Sequence, residues 1–215
     1  MWGKILQYRA EVEDGYTAKT GFKLFATPNA PEIVTKPYDS LLDKSFRKNV
    51  AQNSGWPSPP DGGWVTPLNW YGRVNDIVRT TVVVKYLDGV GIIVDHIRQM
   101  ADSCKIRFSV DYEAREEGYY AAHCYLWFDL EIPAANWDTE RVSIRLEIQV
   151  TTQLQDVIRR LTHDYYTQRR SRTSVADVKW QWDYKNPEFI PNYLGHILHY
   201  VEGMIMEVRE RGGRK

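Results

Sequence analysis

From Arg141 to Val150 the chain reads RVSIRLEIQV. Val142, Ile144, Leu146, Ile148 and Val150 alternate without a break with Arg141, Ser143, Arg145, Glu147 and Gln149. That period of two predicts a strand with one apolar face in a core and one polar face turned away from it. Directly afterwards Thr152 and Gln155 have the spacing of a capping box, and Leu154, Val157, Ile158, Leu161 and Tyr165 recur at helical intervals. The point where the polar face meets the helix start is then a natural place for a site.

The other strand and helix patterns agree. Val74 to Tyr86 is β-branched and nearly continuous, as a central strand covered on both faces would be. Asp76 and Arg79 near its beginning need partners or a cleft, and an Asp76–Arg79 ion pair would satisfy them. Asp88 is placed to cap a helix with Val90, Ile93, Val94, Ile97 and Met100 on its apolar face. Lys105 to Glu113 alternates, with Ile106, Phe108, Val110 and Tyr112 inward. In the strand after Gly118, Tyr119, Ala121, His123, Tyr125 and Trp127 share one face, and Tyr120, Ala122, Cys124, Leu126 and Phe128 the other. Pro133 to Asp138 reads as a turn. The first thirty residues suggest only a short strand or helix.

Between these elements, Pro37 to Asn49 has helical spacing, with Lys36, Lys44, Arg47 and Lys48 as a local positive cluster. It is either a solvated helix face or a grip on phosphate oxygens. Residues 49–73, with four prolines and four glycines, form a loop in which Trp56, Trp64 and Trp70 pack down as a wall or lid. The C-terminal third is helical. Tyr193, Leu194, Ile197, Leu198, Val201, Met204, Ile205 and Val208 mark an amphipathic helix whose Met and aromatic stripe reads as core. RERGGRK reads as a basic tail.

At 215 residues one domain is expected, with a core over about 33–170 and a helical region over 171–215. The 28 basic and 28 acidic residues cancel, so no global field drives the chain onto nucleic acid or a membrane. No apolar run approaches a membrane span or a signal-peptide core. Cys104 and Cys124 form neither a disulfide framework nor a zinc cluster, which points to a cytoplasmic protein.

Three segments, in order, resemble the synthetase domain of the RelA/SpoT family, whose members transfer pyrophosphate from ATP to a nucleotide 3′-hydroxyl. Asp76 in VNDIVRT resembles the strand bearing the family's magnesium-binding aspartate. GYYAAH, Gly118 to His123, is similar to the Gly-Tyr-x-x-x-His signature whose tyrosine stacks on the acceptor base. EIQV, Glu147 to Val150, is similar to the segment with the catalytic glutamate. In TKPYDSLLDK, Lys36, Ser40 and Lys44 match the ATP-binding run, and Arg47 and Lys48 continue it. Val34 stands where the family has its leading Arg, Thr151 where Arg follows the glutamate strand, and Arg79 where Gly is frequent.

The resemblance implies a mixed β-sheet flanked by helices, in the α/β (α+β) class, and a magnesium-dependent pyrophosphokinase making an alarmone. Glu147 would be the general base, with Asp76, and Glu147 as a second ligand, holding Mg2+. Lys36, Ser40, Lys44, Arg47 and Lys48 would bind the ATP phosphates. Tyr119, His123 and Gln149 would receive the acceptor, a purine nucleotide such as GDP, GTP or an adenine nucleotide. Two alternatives stand beside it. One is a toxin, with a cognate antitoxin, that pyrophosphorylates the 3′ CCA end of tRNA, with RRSRTSVADVK and the tail either on the tRNA backbone or merely solvated. The other is a degenerate member of the fold that binds a nucleotide or a protein. The resemblance also implies a homo-oligomer.

Overall fold

The computed structural model describes residues 2–133, 138–169 and 179–212, with the side chains of 2–8 and 163–169 left aside. The turn expected over Pro133 to Asp138 therefore falls largely outside the described residues, as do nearly all of the basic RRSRTSVADVK segment and the last three residues of the tail.

The alternating stretch is strand β5 (Thr139–Thr152), and it organises a sheet as its pattern requires. Four other strands complete that sheet: β1 (Val34–Thr35), β2 (Val78–Val84), β3 (Arg107–Ala114) and β4 (Tyr120–Pro133). Their order is β1-β2-β5-β4-β3. β5 runs parallel to β2 and antiparallel to β4, so the sheet is mixed. Among the described residues six α-helices accompany it: α1 (Trp2–Thr20), α2 (Tyr38–Phe46), α3 (Trp70–Arg73), α4 (Leu87–Ser103), α5 (Gln153–Arg169) and α6 (Phe189–Gly212). This is the mixed, helix-flanked architecture that the sequence predicts.

The apolar face of the sheet builds the main core. Leu126, Leu146, Ile148 and Val150 pack with Val84 and with Ile93, Val94, Ile97 and Ala101 of α4. Ile148 and Val150 are 2% and 0% exposed, and burial of that kind stabilises by about 1.5–3 kcal/mol per side chain. Gly89 lies where a Cβ would come within 2.7 Å of Leu24, so glycine lets α4 descend onto the core. A smaller cluster of Leu41, Val65 and Val74, with Trp70 against it, holds the Pro- and Trp-rich loop to the body. Asn49 clamps that loop through both bonds to Val65, each 2.8 Å. Trp70 packs inward as expected, whereas Trp56 stays 55% exposed with its ring edge against Trp64.

Several local expectations are corrected. The N-terminal segment is a 19-residue helix, held by Val12 and Tyr16 in the core, and Gly15 does not interrupt it. β2 is shorter than the β-branched run, and two-residue β1 pairs only with Val78 and Arg79 at its outer edge. Asp88 is not the cap of α4, which has Tyr86 there; it sits in the first turn and binds Arg209 and the Tyr16 hydroxyl. Thr152 does cap α5, accepting from Gln155 N–H at 3.3 Å, but the Gln155 side chain turns to Gly195 O instead of closing the box. Val157 and Leu161 of α5 are exposed.

The largest correction concerns α6. Ile197, Val208 and much of its apolar stripe are exposed, while Asn192, Gly195 and Glu202 are buried. The rotation is fixed by a backbone crossing at which a Cβ on Gly195 would come within 2.3 Å of Gly118 O. Gly118 itself has φ +73, a conformation that glycine adopts without strain. No helix among the described residues is long and apolar enough to cross a membrane.

Candidate active site

The polar face of the sheet is read off the register. Glu147 stands between Arg79 on β2 and Tyr125 on β4, and Gln149 between Thr81 and His123. The period of two that sends Ile148 into the core therefore aims Glu147 and Gln149 at the same space as His123. The three side chains meet. His123 Nδ1 is 2.6 Å from Glu147 Oε1, and Gln149 donates to the same oxygen at 2.9 Å. Oε2 of Glu147 has no hydrogen-bond partner among the described residues.

His123 and Glu147 are each 5% exposed, so their pairing decides their chemistry. Burial pushes the Glu147 carboxyl up, but the His123 and Gln149 hydrogen bonds outweigh it and hold the group below its ordinary range. On the far side of the imidazole, Nε2 lies 3.1 Å from the Tyr119 hydroxyl and 3.5 Å from Glu113 Oε2. With the ring proton on Nδ1, His123 donates to Glu147 and accepts from Tyr119. Burial, with Glu113 next in weight, pushes the Tyr119 hydroxyl up to about 12, so it keeps its proton.

Asp76 sits in the turn that enters β2, not in the strand itself. It does not pair with Arg79. Lys36 Nζ is 2.9 Å from one carboxylate oxygen and Lys44 Nζ 2.6 Å from the other. Burial pushes this carboxyl up, but the two ammonium groups prevail and hold it at about 2. The helical spacing of α2 is what brings Lys44 back beside Lys36. Lys48 donates to Arg73 O at 2.9 Å, and burial together with repulsion from Lys44, Arg73 and Arg145 holds its ammonium below the ordinary lysine range. Arg47 is turned away, to Asp43 at 2.9 Å, and Ser40 is exposed on α2.

The site residues inferred from sequence thus fall into two adjoining groups. Asp76 with Lys36, Lys44 and Lys48 forms one; Glu147 with Gln149, His123 and Tyr119 forms the other. Asp76 is near enough to raise the Glu147 carboxyl, which links them. Arg47 and Ser40 are not drawn into either.

Other residues were not singled out by sequence. Glu113 reaches His123 from β3, and Arg115 pairs with it at 2.6 Å while lying 5.4 Å from the Tyr119 ring. Glu113 has the outward parity of its strand, which is the one signal that could have found it. Arg145 lies 4.8 Å from the Tyr125 ring, and Arg107 lies 4.5 Å from that of Trp127, so arginines and aromatics alternate along this face. Arg79 is exposed, is the cross-strand neighbour of both Val34 and Glu147, and has no partner among the described residues. Thr151 is buried and donates to Tyr120 O at 3.1 Å, tying the end of β5 to the turn that carries Tyr119.

No protein-family model matches the sequence, and no curated protein does. Solved structures do match in fold. The small alarmone synthetase 2 of Bacillus subtilis is 16% identical with a TM-score of 0.60, over 97% of this chain and 92% of that one. A GTP pyrophosphokinase family protein of Streptococcus pneumoniae is 16% identical with a TM-score of 0.60, over 98% and 88%. The small alarmone synthetase 1 of Bacillus subtilis, bound to its product pppGpp, is 13% identical with a TM-score of 0.59, over 100% and 98%. The chain has the fold of the RelA/SpoT-type small alarmone synthetases.

Proposed function

We propose that the protein is a magnesium-dependent nucleotide pyrophosphokinase that transfers the β,γ-pyrophosphate of ATP to the 3′-hydroxyl of a purine nucleotide and releases AMP. The observation that carries this reading is a pair of carboxylate centres, Glu147 on the polar face of the sheet and Asp76 in the turn that enters the neighbouring strand. One is ringed by ammonium groups, and the other is buried and hydrogen-bonded on a single oxygen. The fold match adds to it, since one matched structure holds the product pppGpp.

In this reading Glu147 accepts the proton of the attacking 3′-hydroxyl on its open Oε2, while His123 and Gln149 fix the carboxylate through Oε1. An ionised, oriented carboxylate is ready for that role without first losing a proton. Lys36, Lys44 and Lys48 bind the donor phosphates; Lys36 and Lys44 exchange the Asp76 carboxylate for phosphate oxygens when ATP enters. Arg79 supplies a guanidinium in the row where Val34 supplies none. Tyr119 receives the acceptor base, a contact worth about 1–3 kcal/mol.

The donor set suits Mg2+. Asp76 is a hard oxygen ligand held ionised and would hold the ion once Lys36 and Lys44 turn to the phosphates; Glu147 could join it only at the expense of the proton-accepting role of its open oxygen. Among the described residues no three His, Cys, Asp or Glu side chains are grouped to hold a metal, so an ion here would depend on the bound triphosphate as well as on the protein. The ion supplies charge neutralisation on the phosphoryl oxygens.

A second reading, with an RNA 3′ end such as the tRNA CCA as acceptor, is favoured by the alternating arginines and aromatics that extend the face beyond Glu147. Incubation with γ-labelled ATP and GDP, GTP, ADP or deacylated tRNA separates the two by which acceptor carries label. No label on any of them would refute both.

A further inference from the structure

Helix α6 turns its polar side inward and its apolar side out. Asn192, Gly195 and Glu202 are its buried residues, Arg209 reaches Asp88, and His199 stacks on the Tyr120 ring at 3.7 Å. The opposite side carries Ile190, Leu194, Ile197, Val201, Met204 and Val208. At 3.6 residues per turn these six positions fall within about 80° of one another. Ile190 and Val208 at the two ends are each 71% exposed and Ile197 near the middle 55%, so the stripe faces solvent. Between Ile190 and Met206 the sequence has one charged residue, Glu202, and it is buried.

With Tyr193, Tyr200 and Ile205 at its edges, the stripe leaves the equivalent of about four large side chains in water, on the order of 800 Å² at roughly 200 Å² each. The largest apolar patch on a monomer is usually about 300–600 Å², whereas about 800 Å² is what each partner brings to a stable complex. The chemistry of the face selects its occupant. It offers no charge to a nucleic acid or to an acidic or basic peptide. A helix lying in a membrane surface keeps a Lys- and Arg-rich side in water, but the polar side of α6 is packed into its own body. What matches the stripe is another uncharged apolar stripe, and the chain supplies one in every copy of itself. The spacing agrees. Successive positions are four, three, four, three and four residues apart, the repeat of helices that pair along a seam. That series reads the same in both directions, so two antiparallel copies meet at every position about a two-fold axis. A parallel pairing would instead set Arg211 beside itself and align the helix dipoles.

We propose that α6 is the interface of a homodimer in which two copies pack this stripe antiparallel. Ile197 of each copy then lies opposite Val201 of the other, and Ile190 opposite Val208. The stripe whose pattern reads as core is core, but across the two-fold axis instead of within one chain. The face and the sense of pairing come from the spacing and rotation of α6 alone. They do not depend on the pyrophosphokinase reading, and their test uses no nucleotide.

The test is the mass of the full chain by sedimentation equilibrium over a concentration series, with far-ultraviolet circular dichroism to check the fold. The wild-type chain is expected to be dimeric at micromolar concentration. Ile197→Glu and Val201→Lys each bury an unpaired charge in the seam, and each alone should weaken the dimer by about a hundredfold or more. Mixing the two variants sets the new carboxylate of one chain against the new ammonium of the other, so the mixture should return to dimer. If Val201→Lys, at a half-buried position, does not fold, the loss in Ile197→Glu decides. A wild-type chain that stays monomeric, an assembly that Ile197→Glu leaves whole, or a mixture of the two folded variants that remains monomeric would overturn the proposal.

Discussion

Glu147 carries two hydrogen bonds on Oε1 and leaves Oε2 open, which is the arrangement of an oriented base. Replacing it with Gln keeps the shape and removes the proton acceptor. Glu147→Gln should lower label transfer by about 10²–10⁴-fold while ATP binding, followed by calorimetry, persists. Asp76 makes a separate, pH-dependent contribution. Its folded pKa of about 2 lies below its ordinary 3.8, so the stability it adds is fully present above pH 3.8 and is lost as pH falls towards 2. The shift corresponds to about 2 kcal/mol at neutral pH. Asp76→Asn should therefore flatten acid unfolding between about pH 4 and 2, read by circular dichroism. That Glu147 and Gln149 share one face, and Tyr119 and His123 another shared face, was legible in the period of two of their strands. The partners of Asp76 were not. Arg79 is closer in sequence than Lys36 or Lys44, but it lies within β2, whereas the turn before β2 brings Asp76 to Lys36 and to Lys44 of α2.

At the scale of elements, β5 and β4 followed from strict alternation, which admits one solution once one face is apolar. α6 did not follow from its own pattern, because a close backbone crossing outweighs a hydrophobic stripe. Gly195→Ala would place a Cβ 2.3 Å from Gly118 O and force the helix away from the turn bearing Tyr119. A loss of about 1–3 kcal/mol is expected, seen in denaturant melts, together with a raised KM for the acceptor. The same crossing buries Glu202. Burial pushes its carboxyl up to about 7, and His199 Nδ1 lies 3.4 Å away. With the folded pKa raised above the ordinary 4.5, the native state is penalised increasingly as pH rises from 4.5 through 7. Glu202→Gln should accordingly stabilise the protein at pH 8, by up to about 3 kcal/mol, and leave thermal unfolding at pH 4 unchanged.

For the whole molecule, one sheet separates two environments. Its reverse face meets α4 in the main core, and its front face carries Glu147, Gln149 and His123, with Asp76 at the turn that enters β2. The division into faces was written in the period-two strands, and the mixed, helix-flanked fold in the resemblance of three ordered segments. The contacts that join distant segments were not, because they depend on how turns and helix crossings aim side chains that no local pattern orients. The second centre, in particular, exists only because residues 34–48 fold back beside the β2 entrance. The most direct measurement is the transfer of label from γ-labelled ATP, with Mg2+, to GDP, GTP, ADP or deacylated tRNA. Wild-type protein is expected to yield a labelled 3′-pyrophosphorylated acceptor and AMP, and Glu147→Gln to yield neither while still binding ATP. Wild-type protein that binds ATP with Mg2+ yet labels none of the acceptors would contradict a catalytic role for this face.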